Sequence, residues 1–322
     1  MLAGLNGKKK KYNETMKTLF LVYNPKSGDG HIRAHLPDLC EYFTAQGYET
    51  IVYPTQAPMD GMERIAARGA GFERIVVCGG DGMLHEGVNG WFRAQTDAVL
   101  GYIPSGTVND FANTHRLPKD VLQAAQIAVH GRREWIDVGG FNDDYFSYVA
   151  AFGLATSIAY DTPHEKKRVL GTLAYVLQAM DVVDFAHWEN NCVTTKIEWE
   201  DGEASGDFLY GMVSNSRYVA GLDSFTRGLF DWKDGRLEGV FIRRQTCLPE
   251  LNSILASMAK KSFEDNPLII QVQSPWFRFE GEPVAWTLDG EYGGTHETVS
   301  IRVVPQALPV ALAQEEEESL DH

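Results

Sequence analysis

The chain has 322 residues, 44% of them hydrophobic, and a formal net charge of −15. That length suits two domains with a sizeable core, and the acidity argues against a nucleic-acid surface while leaving room for a lipid one. Cys40, Cys78, Cys192 and Cys247 form no CxxC pair, so they read as reduced thiols of a cytoplasmic protein rather than metal ligands. No apolar run is long enough to span a bilayer, and no signal-peptide core opens the chain.

Residues 1–15 are polar, include Lys8 to Lys11, and read as a solvated leader ahead of Met16. Lys17 to Tyr23 predicts a first strand, and Asn24-Pro25-Lys26-Ser27-Gly28 its turn. A helix is expected from Ile32 to about Gln46, with Gly47 as its stop. A strand over Glu49 to Tyr53 and a helix over Asp60 to Arg68 come next. Ile75 to Cys78 has the continuous apolar texture of a strand buried on both faces. Gly79, Gly80, Asp81 and Gly82 follow at once, and Met83, Leu84, Val88, Trp91 and Phe92 then fall near helical spacing. Ala98 to Ile103 predicts another strand, with Ser105-Gly106-Thr107 and Asn109-Asp110 behind it.

This alternation predicts a parallel sheet with right-handed crossovers, whose ligands bind beyond the carboxyl ends of the strands. All three glycine turns lie at those ends. Strand, glycine turn and helix present backbone N–H groups to an anion, and an Asp in such a turn suits a Mg²⁺ that accompanies phosphate. The plain alternative is an ordinary strand-to-helix turn. No GxxxxGK[ST] and no GxGxxG opening a helix after a strand occurs, which argues against P-loop and dehydrogenase chemistry.

Leu117 to His130 predicts one more helix. From Arg133 onward, short strands are expected at Trp135–Val138, Tyr145–Phe152, Val193–Glu200, Phe208–Ser214, Arg236–Arg243, Leu268–Gln273, Pro275–Glu280, Val284–Leu288 and Val299–Val304. Such density predicts an antiparallel sandwich or barrel. Two helices interrupt it, at Lys166–Asp184 and Leu248–Lys260, and Glu315 to Glu318 reads as part of a solvated acidic tail.

NPKSG, GGDG and GTVNDFA, in that order and each after an apolar strand, resemble the diacylglycerol kinase catalytic-domain family, which includes soluble bacterial lipid kinases and sphingosine kinases. The resemblance implies an α/β N-terminal domain with a parallel sheet, NAD kinase/phosphofructokinase-like, and a β-rich antiparallel sandwich C-terminal domain. The expected division is 16–134 for nucleotide, 135–304 for lipid, and 305–322 returning to the first domain before the tail. It implies ATP and Mg²⁺, a lipid acceptor reached by transient visits to the membrane surface, and phosphoryl transfer to diacylglycerol. It also implies nucleotide contacts from Asn24, Pro25, Lys26, Ser27, Gly28, Gly79, Gly80, Asp81, Gly82, Met83, Leu84, His85, Ser105, Gly106 and Thr107, with Thr55 a further contact. The segment TLDGEYGG supplies Asp289 and Glu291 as equal candidates for the base, beside Asp81 in the catalytic group. Against this stands a plain Asp-Gly hairpin turn. The segment FDWKDGRLEG implies a structural Mg²⁺ on the Asp234 side chain and the carbonyls of Asp231 and Arg236, again against a plain turn.

The family usually carries Thr-Leu-Asn-Glu after GGDG, where this chain has Met83-Leu84-His85-Glu86. Met83 removes a hydroxyl from where phosphate is expected, and His85 replaces an amide. Two alternatives therefore stand beside the lipid kinase: an NAD kinase, which shares GGDG, and a regulator that binds ATP without turnover. A two-fold homodimer is the default assembly for such an enzyme.

Overall fold

The computed structural model describes residues 16–30, 32–153, 192–219, 222–223, 231–260, 263 and 265–314. The expected helix at 166–184, the Lys8 to Lys11 run and Glu315 to Glu318 lie outside the described residues. Among the described residues no helix is long and apolar enough to cross a membrane.

The first half alternates β1 (Lys17–Tyr23), α1 (Ile32–Ala45), β2 (Tyr48–Pro54), α2 (Asp60–Arg68), β3 (Arg74–Gly79), α3 (Asp81–Ala94), β4 (Val99–Pro104), α4 (Asp110–Thr114) and α5 (Val121–His130). The four strands pair in parallel in the order β4-β3-β1-β2. Successive side chains point to opposite faces, and both faces are covered. Phe20, Val22, Ile75 and Val77 pack with Leu84 and Val88 of α3. Leu19, Leu21, Val76 and Cys78 pack on the other side with Leu39 and Phe43 of α1. Two buried faces are the reason these strands read as unbroken apolar runs. The expected Leu117–His130 helix starts later, at Val121, because Asp120 caps it by accepting the Gln123 amide at 2.9 Å.

The second half holds β5 (Arg132–Phe141), β6 (Asp144–Phe146), β7 (Val149–Gly153), β8 (Val193–Trp199), β9 (Gly202–Ser214), β10 (Tyr218–Val219), β11 (Leu222–Asp223), β12 (Leu237–Arg243), α6 (Leu248–Lys260), β13 (Ile269–Ser274), β14 (Trp276–Leu288) and β15 (Glu291–Leu312). Its pairings are antiparallel. Phe152, Phe208, Phe241, Phe277, Phe279 and Trp286 form its core, with edge-to-face contacts such as Phe279 on Trp286 at 4.9 Å.

Three elements differ from expectation. The strand expected over Tyr145–Phe152 breaks into β6 and β7, because the amides of Ser147 and Tyr148 leave the ladder to bind Asp289. The segments Pro275–Glu280 and Val284–Leu288 join as β14 across a register shift between Glu280 and Val284. The strand expected at Val299–Val304 extends over 22 residues as β15. It runs from a hairpin with β14, along β5, to Val310 beside Leu100 of β4. One hydrogen-bonded path thus passes through both halves, and the boundary expected at 134/135 falls inside β5.

Candidate active site

β1, β3 and β4 end side by side, and the turns at their ends touch. The Asn24 amide donates to Cys78 O at 3.0 Å, and Asn24 Oδ1 accepts from Lys26 N at 2.9 Å. Ser27 Oγ donates to Ser105 O at 3.1 Å, and Ser105 Oγ donates to Ser27 Oγ at 3.0 Å. Gly28, at φ +57°, would place a Cβ 2.5 Å from Ser105 O, so this approach needs glycine. A Cβ on Gly106 would stand 2.5 Å from Gly80 Cα, so the second and third turns meet backbone to backbone. Asn109 holds the third turn, accepting from Gly106 N at 3.0 Å and donating to Gly106 O at 2.7 Å. Thr55, at the end of β2, is buried, and its amide donates to Tyr23 O at 2.9 Å.

Asn109 precedes α4 but makes no side-chain cap. The Asp81 carboxylate lies near the start of α4, where the amides of Asp110 and Phe111 favour its charged form. Asp81 Oδ1 is buried with no hydrogen-bond partner. Burial, then the charge of Asp110 and more weakly that of Asp289, pushes the Asp81 carboxyl up to about 7 against the pull of the two amides. An orphaned buried oxygen beside further carboxylates fits a divalent cation, which would partner the oxygen and offset the repulsion.

The three residues after GGDG do not offer their side chains to a ligand. Met83 and Leu84 are buried and pack in the core with Phe20 and Val77. Their amides both donate to Gly80 O, at 3.0 and 3.2 Å. The first-turn amides of Asp81 and Gly82 are the remaining donors. His85 is also buried, its ring turned to Asp289. Helical phase thus points the Met83 side chain into the core. Glu86 faces α2 instead, accepting from Met59 N at 3.0 Å and Gly61 N at 2.8 Å.

The two candidate bases separate sharply. Asp289 is 2% exposed. Its Oδ2 accepts from Ser147 N at 2.8 Å, Ser147 Oγ at 3.1 Å and His85 Nδ1 at 3.1 Å. Its Oδ1 accepts from Tyr148 N at 2.9 Å and Val149 N at 3.2 Å. With both oxygens engaged, it has no capacity left for an incoming proton donor. Glu291 is exposed, and its carboxylate accepts no hydrogen bond from any described residue. A Cβ on Gly82 would collide with Glu291 Oε1, so the carboxylate lies directly against the GGDG turn. Burial pulls the His85 pKa down, but the hydrogen bond and charge of Asp289, with the charges of Glu291 and Asp144, outweigh it and leave it raised.

The loop from Asp231 to Arg236 lies beside the far end of α4, where Trp232 packs edge-on against His115 at 5.4 Å. Asp231 Oδ1 accepts from Lys233 N at 3.0 Å, Asp234 Oδ1 from Arg236 N at 2.9 Å, and Asp137 Oδ2 from Gly235 N at 2.7 Å. The Arg236 side chain is engaged with Glu200 at 2.7 Å. Among the described residues no group of three or more His, Cys, Asp or Glu is arranged to hold a metal. An ion here would rely on carbonyls and water beside Asp234, a donor set of oxygens that fits Mg²⁺. Burial and the charges of Asp231 and Asp137 raise the Asp234 carboxyl, the direction a cation would reverse.

Sequence reasoning missed Asn89 and the amides of Ser147 to Val149. Asn89 Oδ1 accepts from Tyr145 N at 2.9 Å, and its Nδ2 donates to Tyr145 O at 2.9 Å and His85 O at 3.0 Å. No local pattern announces such a contact between elements distant in the chain.

Residues 18–141 match the diacylglycerol kinase catalytic domain. A diacylglycerol kinase of Staphylococcus carnosus is 30% identical over 280 residues, 85% of this chain and 88% of that one. One of Staphylococcus epidermidis is 29% identical over 276 residues, 85% of each chain. A crystal structure of a Bacillus anthracis diacylglycerol kinase shares the fold, with a TM-score of 0.73 at 21% identity over 93% of this chain and 98% of that one.

Proposed function

The chain belongs to the diacylglycerol kinase family, and from that premise we propose that it transfers the γ-phosphoryl group of ATP to the hydroxyl of diacylglycerol, giving phosphatidic acid. The observation that carries this reading is Glu291, an exposed carboxylate with no hydrogen bond among the described residues, lying against Gly82 where three glycine turns converge. The backbone of Asn24 to Gly28, Gly79 to Gly82 and Ser105 to Thr107 cradles the phosphates. Asp81 would hold the Mg²⁺ that accompanies ATP, an ion that would neutralise phosphate charge. Glu291 takes the proton of the acceptor hydroxyl. The lipid oxygen bonds to the γ-phosphorus as the bond to the β,γ-bridging oxygen breaks, and ADP leaves with that electron pair. Asp289 is the scaffold of the turn rather than the base. The Asp234 side chain and the carbonyls of Asp231 and Arg236 would hold a structural Mg²⁺. The first half, 16–134, serves the nucleotide, and the β-rich half the lipid, with the protein visiting the membrane surface to reach it. The inward turn of Met83 and His85 leaves the phosphates to backbone N–H groups, which supports a kinase with turnover over a regulator without it.

The test is labelled transfer from γ-labelled ATP, with Mg²⁺, to mixed micelles of diacylglycerol, with NAD as a soluble control. Label in phosphatidic acid, lost on chelation and lowered about 10²–10⁴-fold by Glu291→Gln, is the expected outcome. Label in NADP, or full activity in Glu291→Gln, overturns the assignment.

A further inference from the structure

We infer that His85 is a positioning residue: from α3 it grips, through Asp289, the turn that delivers Glu291 to Gly82. The inference rests on the function proposed above. Helix and turn meet at two points, Gly82 with Glu291 and His85 with Asp289. Residues 82 and 85 lie on one face of α3, a single turn apart. Asp289 and Glu291 flank Gly290 in the two-residue loop between β14 and β15, with Leu288 paired to Glu291. Asp289 at φ +53° and Gly290 at φ +84° give this loop the twist of a tight hairpin. The four donors from Ser147, Tyr148 and Val149 tie the loop to its own half of the molecule. Among the described residues, His85 is the one donor that reaches Asp289 from the nucleotide half.

The grip itself is braced. Asn89, one helical turn further along α3, donates to His85 O and bonds Tyr145 in both directions, and its Nδ2 lies 3.4 Å from His85 Nε2. The ring is thus held between Asn89 on its own helix and Asp289 across the seam. Among the described residues Glu291 makes no hydrogen bond, so its place over Gly82 depends on the turn behind it. The charged neighbours of His85 are Asp289, Glu291 and Asp144. An amide at position 85 also offers a donor, which makes His85→Asn the conservative variant.

The experiment compares wild type, His85→Ala and His85→Asn in full-length protein, by steady-state transfer to diacylglycerol micelles and by amide hydrogen exchange. His85→Ala is expected to lower kcat about 10²-fold with the KM for ATP little changed, since a shift of about 1 Å in a reacting group costs that much. His85→Asn is expected to restore kcat to within about tenfold of wild type. Amides of residues 289–292 should exchange faster in His85→Ala while those of β3 do not. A His85→Ala enzyme with wild-type kcat, or one whose ATP KM rises in step with the loss, overturns the inference. If the alanine variant fails to fold, a His85→Asn enzyme as inactive as Glu291→Gln overturns it too. Wild type that labels no lipid sinks the proposed function instead, and unchanged exchange at 289–292 then sinks the positioning role separately.

Discussion

At the scale of single residues, Asp81 couples chemistry to stability. Burial and the neighbouring carboxylates hold its folded pKa at about 7, far above an unfolded aspartate at about 3.9. Between those values the folded state binds the proton more tightly, so this group's contribution to stability is present at low pH and lost as pH rises through about 7. Asp81→Asn keeps an acceptor for the amides of Asp110 and Phe111 and removes the buried charge. It should abolish turnover yet melt higher than wild type at pH 8 in chelator, by about 2–4 °C for each kcal/mol recovered. The gap should close toward pH 5, and a lower melting temperature at pH 8 would refute the argument. Much of this residue's place was legible, since GGDG after a buried strand announces an anion turn. Its contact with the start of α4 was not, because the amides of Asp110 and Phe111 lie about thirty positions away. The burial of Met83 was legible too, from its place in the apolar stripe with Leu84 and Val88.

At the scale of elements, α3 packs its apolar face on the sheet and sends polar side chains, His85, Glu86 and Asn89, to other segments. Glu86 supplies the N-terminal cap that α2 lacks, since Met59 sits in the left-handed region and makes no side-chain cap. Glu86→Ala should cost about 1–2 kcal/mol by orphaning those amides. The check is urea unfolding together with the ATP KM, which should change little. A stability equal to wild type would show that solvent replaces the carboxylate. Periodicity read the strands and helices of the first half closely, because two covered faces leave a continuous apolar signature. It misjudged β6 and β7, where alternation continues but the amides of Ser147 and Tyr148 are diverted to Asp289. Nothing in the local sequence carries that diversion.

At the scale of the whole molecule, β5 and β15 make the two halves one structure. Leu308, Val310 and Leu312, from the end of the chain's second half, are buried in the core of the first. Their burial contributes roughly 1.5–3 kcal/mol each, a large part of the 5–15 kcal/mol that holds a typical domain together. Truncation after Val304 should therefore leave residues 16–134 unable to fold, with circular dichroism of the truncated chain as the check. A truncated protein with native helix content would show that the first half stands alone. The strand expected over Val299–Val304 does not stop there: β15 continues through a register shift with Gln306 at φ +45°.

β15 also constrains how this protein can vary over evolutionary time. The strand begins with Glu291 and ends in the core beside β4. Because alternate residues face opposite sides, a one-residue insertion anywhere within it would turn either the acid or the core leucines to the wrong face. This strand, with the tight turn before it, must be inherited at fixed length, and an indel within it should mark a descendant that has given up the reaction.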